Sequence, residues 1–204
     1  MKTKTKTVYE NIDELMEALK TRSVKVGDEL ITRDIDGRAK YAVADFNLEA
    51  KAEWGNTTIF NIAFMVRKYA LKKSKPMKDD DFDLLKWLNK EYLDSIPDEV
   101  RSHMIPQDTR HIIDLPREIE VFGKNEYGVK EVGKQWPYFK NTKNRICTTK
   151  KDDEYSHLWW LNTPHRASAA DFCRCYSNGN AACSNASYAY IYVRPRFILA
   201  QRNQ

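Results

Sequence analysis

No run of about 18 apolar residues occurs in the 204-residue chain, which excludes a membrane-spanning helix. The first residues, MKTKTKTVYENIDEL, are basic but lack the apolar centre of a signal peptide. Classical secretion is therefore not expected. Gly-rich phosphate loops, a Walker motif and spaced carboxylate clusters are also missing, so the usual sequence marks of nucleotide and hydrolytic chemistry are not found. The four cysteines, at 147, 173, 175 and 183, lack the CxxC spacing of zinc and redox sites. Without a secretion signal, free thiols are the expectation. A metal would need a fourth ligand such as His157 or His165, and nothing in the spacing dictates one. Neither internal repeats nor a second composition-defined domain is evident.

What is present describes a soluble globular chain with 42% hydrophobic and 31% charged residues. The length suffices for one domain with a real core. Net charge is +5, but 34 basic residues stand against 29 acidic ones with the signs mixed, a weak argument for nucleic acid. Residues 1–22 read as a basic tail and N-terminal helix, a docking arm, and residues 23–204 as a single domain. Ile12, Leu15, Met16 and Leu19 fall at helical spacing behind the capping residue Asn11. A strand Glu29–Arg33, a two-residue turn Asp36-Gly37 and a return strand Ala39–Phe46 make a hairpin. Thr57–Ala63 reads as a buried strand leading into a short helix over 66–71. The Lys-rich stretch Lys68–Lys78 reads as a solvated loop. Asp79–Ile96 reads as the best helix, with an acidic first turn and an apolar stripe of Phe82, Leu85, Leu88, Tyr92 and Leu93. A helical turn follows Pro97. Trp159-Trp160 anchors an expected central strand, and Asp171–Ser177, Ala186–Arg194 and Phe197–Leu199 are expected to close the fold as strands. The class is α+β, with mainly antiparallel sheets and two or three helices.

Several motifs occur in a recognisable order. They are Leu115-Pro116-Arg117-Glu118-Ile119-Glu120-Val121-Phe122-Gly123, Gln135-Trp136-Pro137-Tyr138-Phe139, Trp159-Trp160-Leu161-Asn162-Thr163-Pro164 and Val193-Arg194-Pro195-Arg196-Phe197. Over roughly residues 25–199 the chain resembles a family of bacterial and phage domains of unknown function, common in phages and prophages of gut Firmicutes. The C-terminal half of that family is similar to C-type-lectin-like domains, including those diversified by retroelements. The resemblance implies a C-type-lectin-like fold. The chain departs from the family pattern at Asn162-Thr163, where Arg-Ser is usual, and at Tyr192, where glycine is usual.

The segment from Asn162 to Tyr192 contains no Lys, Glu, Gln, Met or Trp. Those types make up 48 of the 204 residues, so about seven would be expected in this window. The missing types are those that varying the first two bases of an Asn codon ending in C does not reach, the pattern expected of a retroelement-diversified surface. Tyr, Ser and Asn dominate what remains, the vocabulary of adaptable binding surfaces. In the expected last strand, Tyr188, Tyr190 and Tyr192 share one face and face a partner. The expected contact residues are His165, Arg166, Arg174, Tyr176, Asn178, Asn180, Ser184, Asn185, Tyr188, Tyr190 and Tyr192. Trp159, Trp160, Pro164, Phe172, Val193 and Phe197 are assigned to the scaffold, and Arg194 to a buried structural role. A Cys147–His157 nucleophile pair is conceivable but lacks an identifiable orienting group.

Taken with the resemblance, the sequence predicts a non-enzymatic ligand- or receptor-binding protein of a phage or prophage, located in a virion or the bacterial cytoplasm. Its partner would be a protein or glycan on a host-cell surface, or other virion proteins, including further copies of itself. No cofactor, no catalytic or metal residues and no membrane insertion are expected. The alternatives are an architectural virion component and a basic nucleic-acid binder, the latter disfavoured by the mixed charge.

Overall fold

Alternation of apolar residues in the first half of the chain builds a sheet that is buried on both faces. In the computed structural model, which describes residues 5–54, 57–107, 111–151 and 153–202, six strands line up in the order β1-β2-β3-β4-β9-β5. They are β1 (Val8–Tyr9), β2 (Glu29–Asp34), β3 (Gly37–Trp54), β4 (Thr57–Arg67), β5 (Met104–Ile105) and β9 (Arg196–Arg202). β1 runs parallel to β2, and all the other neighbours pair antiparallel. On β3, Tyr41 and Val43 face one core cluster while Ala42 and Ala44 face the other. A second sheet, in the order β6-β7-β8, contains Trp159–Pro164, Asp171–Cys175 and Ala181–Asn185. The class is α+β, mostly sheet with few helices.

Helix α1 (Ile12–Lys20) is capped by Asn11, whose side chain accepts from the Glu14 N–H at 3.0 Å. It buries Ile12, Leu15, Met16, Ala18 and Leu19 in the cluster that holds Tyr41, Met65 and Phe197. The helix expected within residues 1–22 thus packs its apolar face into the core. α3 (Asp98–Arg101) follows Pro97 as the sequence suggests, and α4 (Glu118–Phe122) ends at Gly123, whose left-handed backbone (φ 76°) favours glycine.

Five expectations change. The β2–β3 turn is Ile35-Asp36, and Gly37, at φ 91°, already pairs with Asp34. No helix forms over 66–71, because β4 continues to Arg67 and the chain then leaves the sheet as irregular backbone. The long helix begins at α2 (Leu84–Trp87), capped by Asp83, and passes into a π turn over Leu88–Tyr92. Asp79 is instead used in a preceding turn, where its side chain accepts from the Asp81 and Phe82 N–H groups. Finally, β6 is an edge strand of the small sheet, and residues 186–195 form turns and irregular backbone where a strand was expected.

Charged residues knit the layers together. Asp34 is buried, and its carboxylate accepts from Tyr41 Oη at 2.7 Å, Tyr92 Oη at 2.9 Å and Arg67 Nε at 2.7 Å. Arg67 also donates to the Tyr69 and Ala70 carbonyls. Burial alone would raise the Asp34 carboxyl, but hydrogen bonds and charge from Arg67 outweigh it and hold the group below its usual value. A second network joins Arg196 to Asp114 at 3.1 Å, to the Leu115 carbonyl at 3.0 Å and to Glu120 at 3.6 Å. Among the described residues no helix is long and apolar enough to cross a membrane.

Candidate functional site

The small sheet divides the expected contact residues into groups. β6 ends and β7 begins at the same edge as the end of β8, so the 165–170 and 186–190 turns lie together. The β7–β8 turn lies at the opposite edge, five residues away along the strands, or about 16 Å at ~3.3 Å per residue. His165, Arg166, Asn185, Tyr188 and Tyr190 belong to the first edge, and Tyr176, Asn178 and Asn180 to the second. Arg174 and Ser184 sit between them on one face, with Arg174 Nε donating to Ser184 Oγ at 2.6 Å. The guanidinium also lies 5.0 Å from the centre of the Tyr176 ring, and its Nη1 is buried without a hydrogen-bond partner.

Tyr188 and Tyr190 are the prominent pair. They are 43% and 56% exposed, and their rings stack with centroids 5.1 Å apart. Their turn is held at both ends. The Ala186 carbonyl accepts from the Met77 N–H at 2.8 Å, and the Ile191 carbonyl accepts from the Lys75 N–H at 3.0 Å. Ala186 and Ile191 themselves are buried. Two aromatic faces are thus presented on anchored backbone.

Other expected contacts have different duties. Asn185 Oδ1 accepts from the Ser187 N–H and hydroxyl, and Asn178 Oδ1 from the Asn180 N–H, so both shape turns. His165 Nδ1 accepts from the Ala167 N–H. Tyr192 does not share a strand face with Tyr188 and Tyr190. Its backbone pairs with Leu158 and Trp160, and its ring stacks on His157 at 4.1 Å. Among the scaffold residues, Trp159, Trp160, Val193 and Phe197 are buried, Phe172 is half-buried, and Pro164 is exposed, contrary to its assignment. Arg194 is buried, donates to the Arg67 and Asn144 carbonyls at 3.0 and 2.9 Å, and covers the Trp159 ring at 4.8 Å.

Residues 106–201 carry a DUF6273 domain, a domain of unknown function. Comparison with curated proteins and with solved structures gave no match. The DUF6273 segment contributes β9 to the large sheet and all three strands of the small one.

Within the DUF6273 segment, a buried polar shelf that sequence reasoning overlooked supports the first edge. Glu118 accepts from the Tyr127 and Gly128 N–H groups at 3.1 and 2.9 Å, and its own N–H donates to Thr163 Oγ1 at 2.8 Å. Thr163 in turn donates to Glu131 at 3.0 Å, and Asn125 Nδ2 donates to Glu131 at 3.1 Å. Burial pushes the Glu131 carboxyl above its usual value, against the hydrogen bonds from Thr163 and Asn125. Charged letters set among apolar ones in Arg117-Glu118-Ile119-Glu120 were the available signal.

The cysteines remain free, and Cys147, Cys173 and Cys175 are buried. Cys173 and Cys175 share a strand face, as their spacing requires. Burial raises the Cys147 thiol and pushes the Cys175 thiol up to about 12, both far from an activated thiolate. The described residues contain no group of His, Cys, Asp and Glu placed to hold a metal ion.

A second concavity was not expected. A cleft of about 630 Å³ lies between the β2–β3 hairpin, the β4 exit and residues 149–151. Its walls carry Arg38, Lys40, Arg67, Lys72, Lys150 and Lys151 against Glu10 and Asp36.

Proposed function

We propose that the protein is a non-enzymatic ligand-binding protein of a phage or prophage, built on a C-type-lectin-like scaffold. Its display surface is the first edge of the small sheet, where Tyr188 and Tyr190 are the anchors and Arg166 and His165 flank them. The observation that carries this reading is the stacked, half-exposed tyrosine pair on a turn fixed at Ala186 and Ile191. Exposed tyrosines on rigid backbone offer large contact area at small entropic cost, with a hydroxyl for hydrogen bonding. The preferred partner is a glycan or protein on a host-cell surface, and the composition of 162–192 fits diversification by a retroelement. The test compares wild type with a Tyr188→Ala/Tyr190→Ala variant on glycan arrays and bacterial cells. Capture should fall at least tenfold while thermal unfolding is unchanged. Equal capture by the variant, or loss of its folded state, would overturn the assignment.

The cationic cleft favours a second reading, in which an anionic partner binds between the β2–β3 hairpin and residues 149–151. With Arg67 set aside because it is paired with the buried Asp34, five cations stand against Glu10 and Asp36, a local excess of three positive charges. Binding of a phosphate polymer there should weaken steeply with salt and drop in a Lys150→Glu/Lys151→Glu variant. Binding that ignores both changes would remove this reading and leave the tyrosine surface untouched.

A further inference from the structure

The hydrogen-bond parity of the β7–β8 hairpin places two thiols in an arrangement that the spacing of the cysteines does not reveal. Cys173 and Cys183 stand directly opposite each other in the ladder. At the turn, the Tyr176 N–H donates to the Asn180 carbonyl at 2.7 Å, and beyond the far end the Ala186 N–H donates to the Ala170 carbonyl at 2.8 Å. Hydrogen-bonded and non-hydrogen-bonded pairs alternate along an antiparallel ladder. Counting from either end, the pairs 176/180, 174/182, 172/184 and 170/186 are hydrogen-bonded, and 173/183 falls between two of them. It is a non-hydrogen-bonded pair, the type in which opposed Cα atoms approach to about 4.5 Å and the side chains lie closest. That separation is within the range a disulfide spans, about 4.4–6.8 Å between Cα atoms.

We propose that Cys173 and Cys183 form a reversible cross-strand disulfide when the protein meets a low-molecular-weight disulfide such as oxidised glutathione. The two partners differ in access. Cys183 is partly exposed at the sheet surface, whereas Cys173 is buried against the Glu118 shelf. A Cβ added at Gly128 would lie 3.1 Å from Cys173 Sγ, which shows how closely that backbone covers the thiol. Cys183 therefore reacts first. Its thiolate attacks one sulfur of the small disulfide, forming a mixed disulfide and releasing one thiol. Burial beside Glu118 raises the Cys173 thiol, so its sulfur attacks Cys183 Sγ as its proton passes to the departing small thiolate, releasing the second small thiol. Two protein thiols lose two electrons and two protons, and the small disulfide gains both as it becomes two thiols. The other cysteines are differently placed. Cys175 faces Ala181 across the ladder, and Cys173 and Cys175 lie two residues apart on one strand. The product staples the hairpin whose outer face holds Arg174 and Ser184, and it removes the thiol beside Glu118.

The experiment incubates the folded protein with oxidised glutathione, blocks the remaining thiols and maps the peptides by mass spectrometry. The expected product is a Cys173–Cys183 link, with loss of two hydrogens and no retained glutathione, reversed by dithiothreitol. A Cys175→Ala variant should form the same link. Cys183→Ser should form none and leave Cys173 unmodified. Because Cys183 is partly exposed, this variant should fold, as its unfolding curve will verify. Glutathione retained on Cys183 with Cys173 still free, a link through Cys175, or no reaction at all would each overturn the proposal.

Discussion

At the scale of single residues, the protein spends much of its polar chemistry on the interior. Asp34 holds two tyrosine hydroxyls and a guanidinium, and its depressed pKa links folding to pH. A carboxyl whose folded pKa lies below its unfolded value, here 3.8, contributes stability above that value and loses it as pH falls through the folded pKa. Wild-type stability should therefore fall as the solution is acidified below about pH 4. Asp34→Asn removes one of the two carboxylates that face the buried Arg67, leaving Asp36 at 3.1 Å, and should cost about 3 kcal/mol at pH 7. It should also show a shallower acid slope in urea unfolding measured between pH 3 and 7. An unchanged slope would remove Asp34 as its source. The exposed tyrosines behave oppositely, since substitutions there are expected to leave stability within about 0.5 kcal/mol.

At the scale of elements, amphipathic spacing was legible wherever a segment meets one face of the core. Ile12, Leu15, Met16 and Leu19 announced α1, and Trp159-Trp160 announced β6. Spacing failed for 186–195. There Tyr188, Tyr190 and Tyr192 alternate like a strand, but Asn185 and Ser187 divert the backbone into a turn before any ladder forms. Local side-chain hydrogen bonds outcompeted a weak period-two pattern. The same competition moved the start of α2, where Asp79 closes a turn instead of opening a helix. The cationic cleft was illegible for another reason, since its residues come from segments far apart in sequence, and of the Glu118 shelf only the charged letters around Glu118 could be seen. Gly128 tests the shelf. A Cβ there would lie 2.2 Å from Thr163 Cγ2 and 2.8 Å from Glu118 Oε2. Gly128→Ala should destabilise the protein by about 1–3 kcal/mol in chemical denaturation. A neutral effect would mean that the shelf yields easily.

At the scale of the whole molecule, the DUF6273 segment and the residues before it are one structural unit. β9 lies between β4 and β5, both outside residues 106–201, and Arg194 donates to the Arg67 carbonyl. The loop carrying Tyr188 and Tyr190 hangs from the Lys75 and Met77 amides. Residues 106–202 produced alone should therefore lack cooperative unfolding by circular dichroism, and adding residues 1–105 in trans should restore it only if the two pieces associate. Cooperative unfolding of the isolated segment would show that it carries a sufficient core.

The place of β9 also has a consequence during synthesis. β4 ends at Arg67 and its partner strand begins at Arg196, so 128 residues lie between them. At ribosomal rates of about 5–20 residues per second, one edge of β4 waits roughly 6–26 s for its neighbour to emerge. During that interval Ala63, Met65 and Val66 belong to an open template for the strands of other nascent chains. Yield in the cell should thus depend on what shields this edge on the ribosome as well as on the stability of the finished fold.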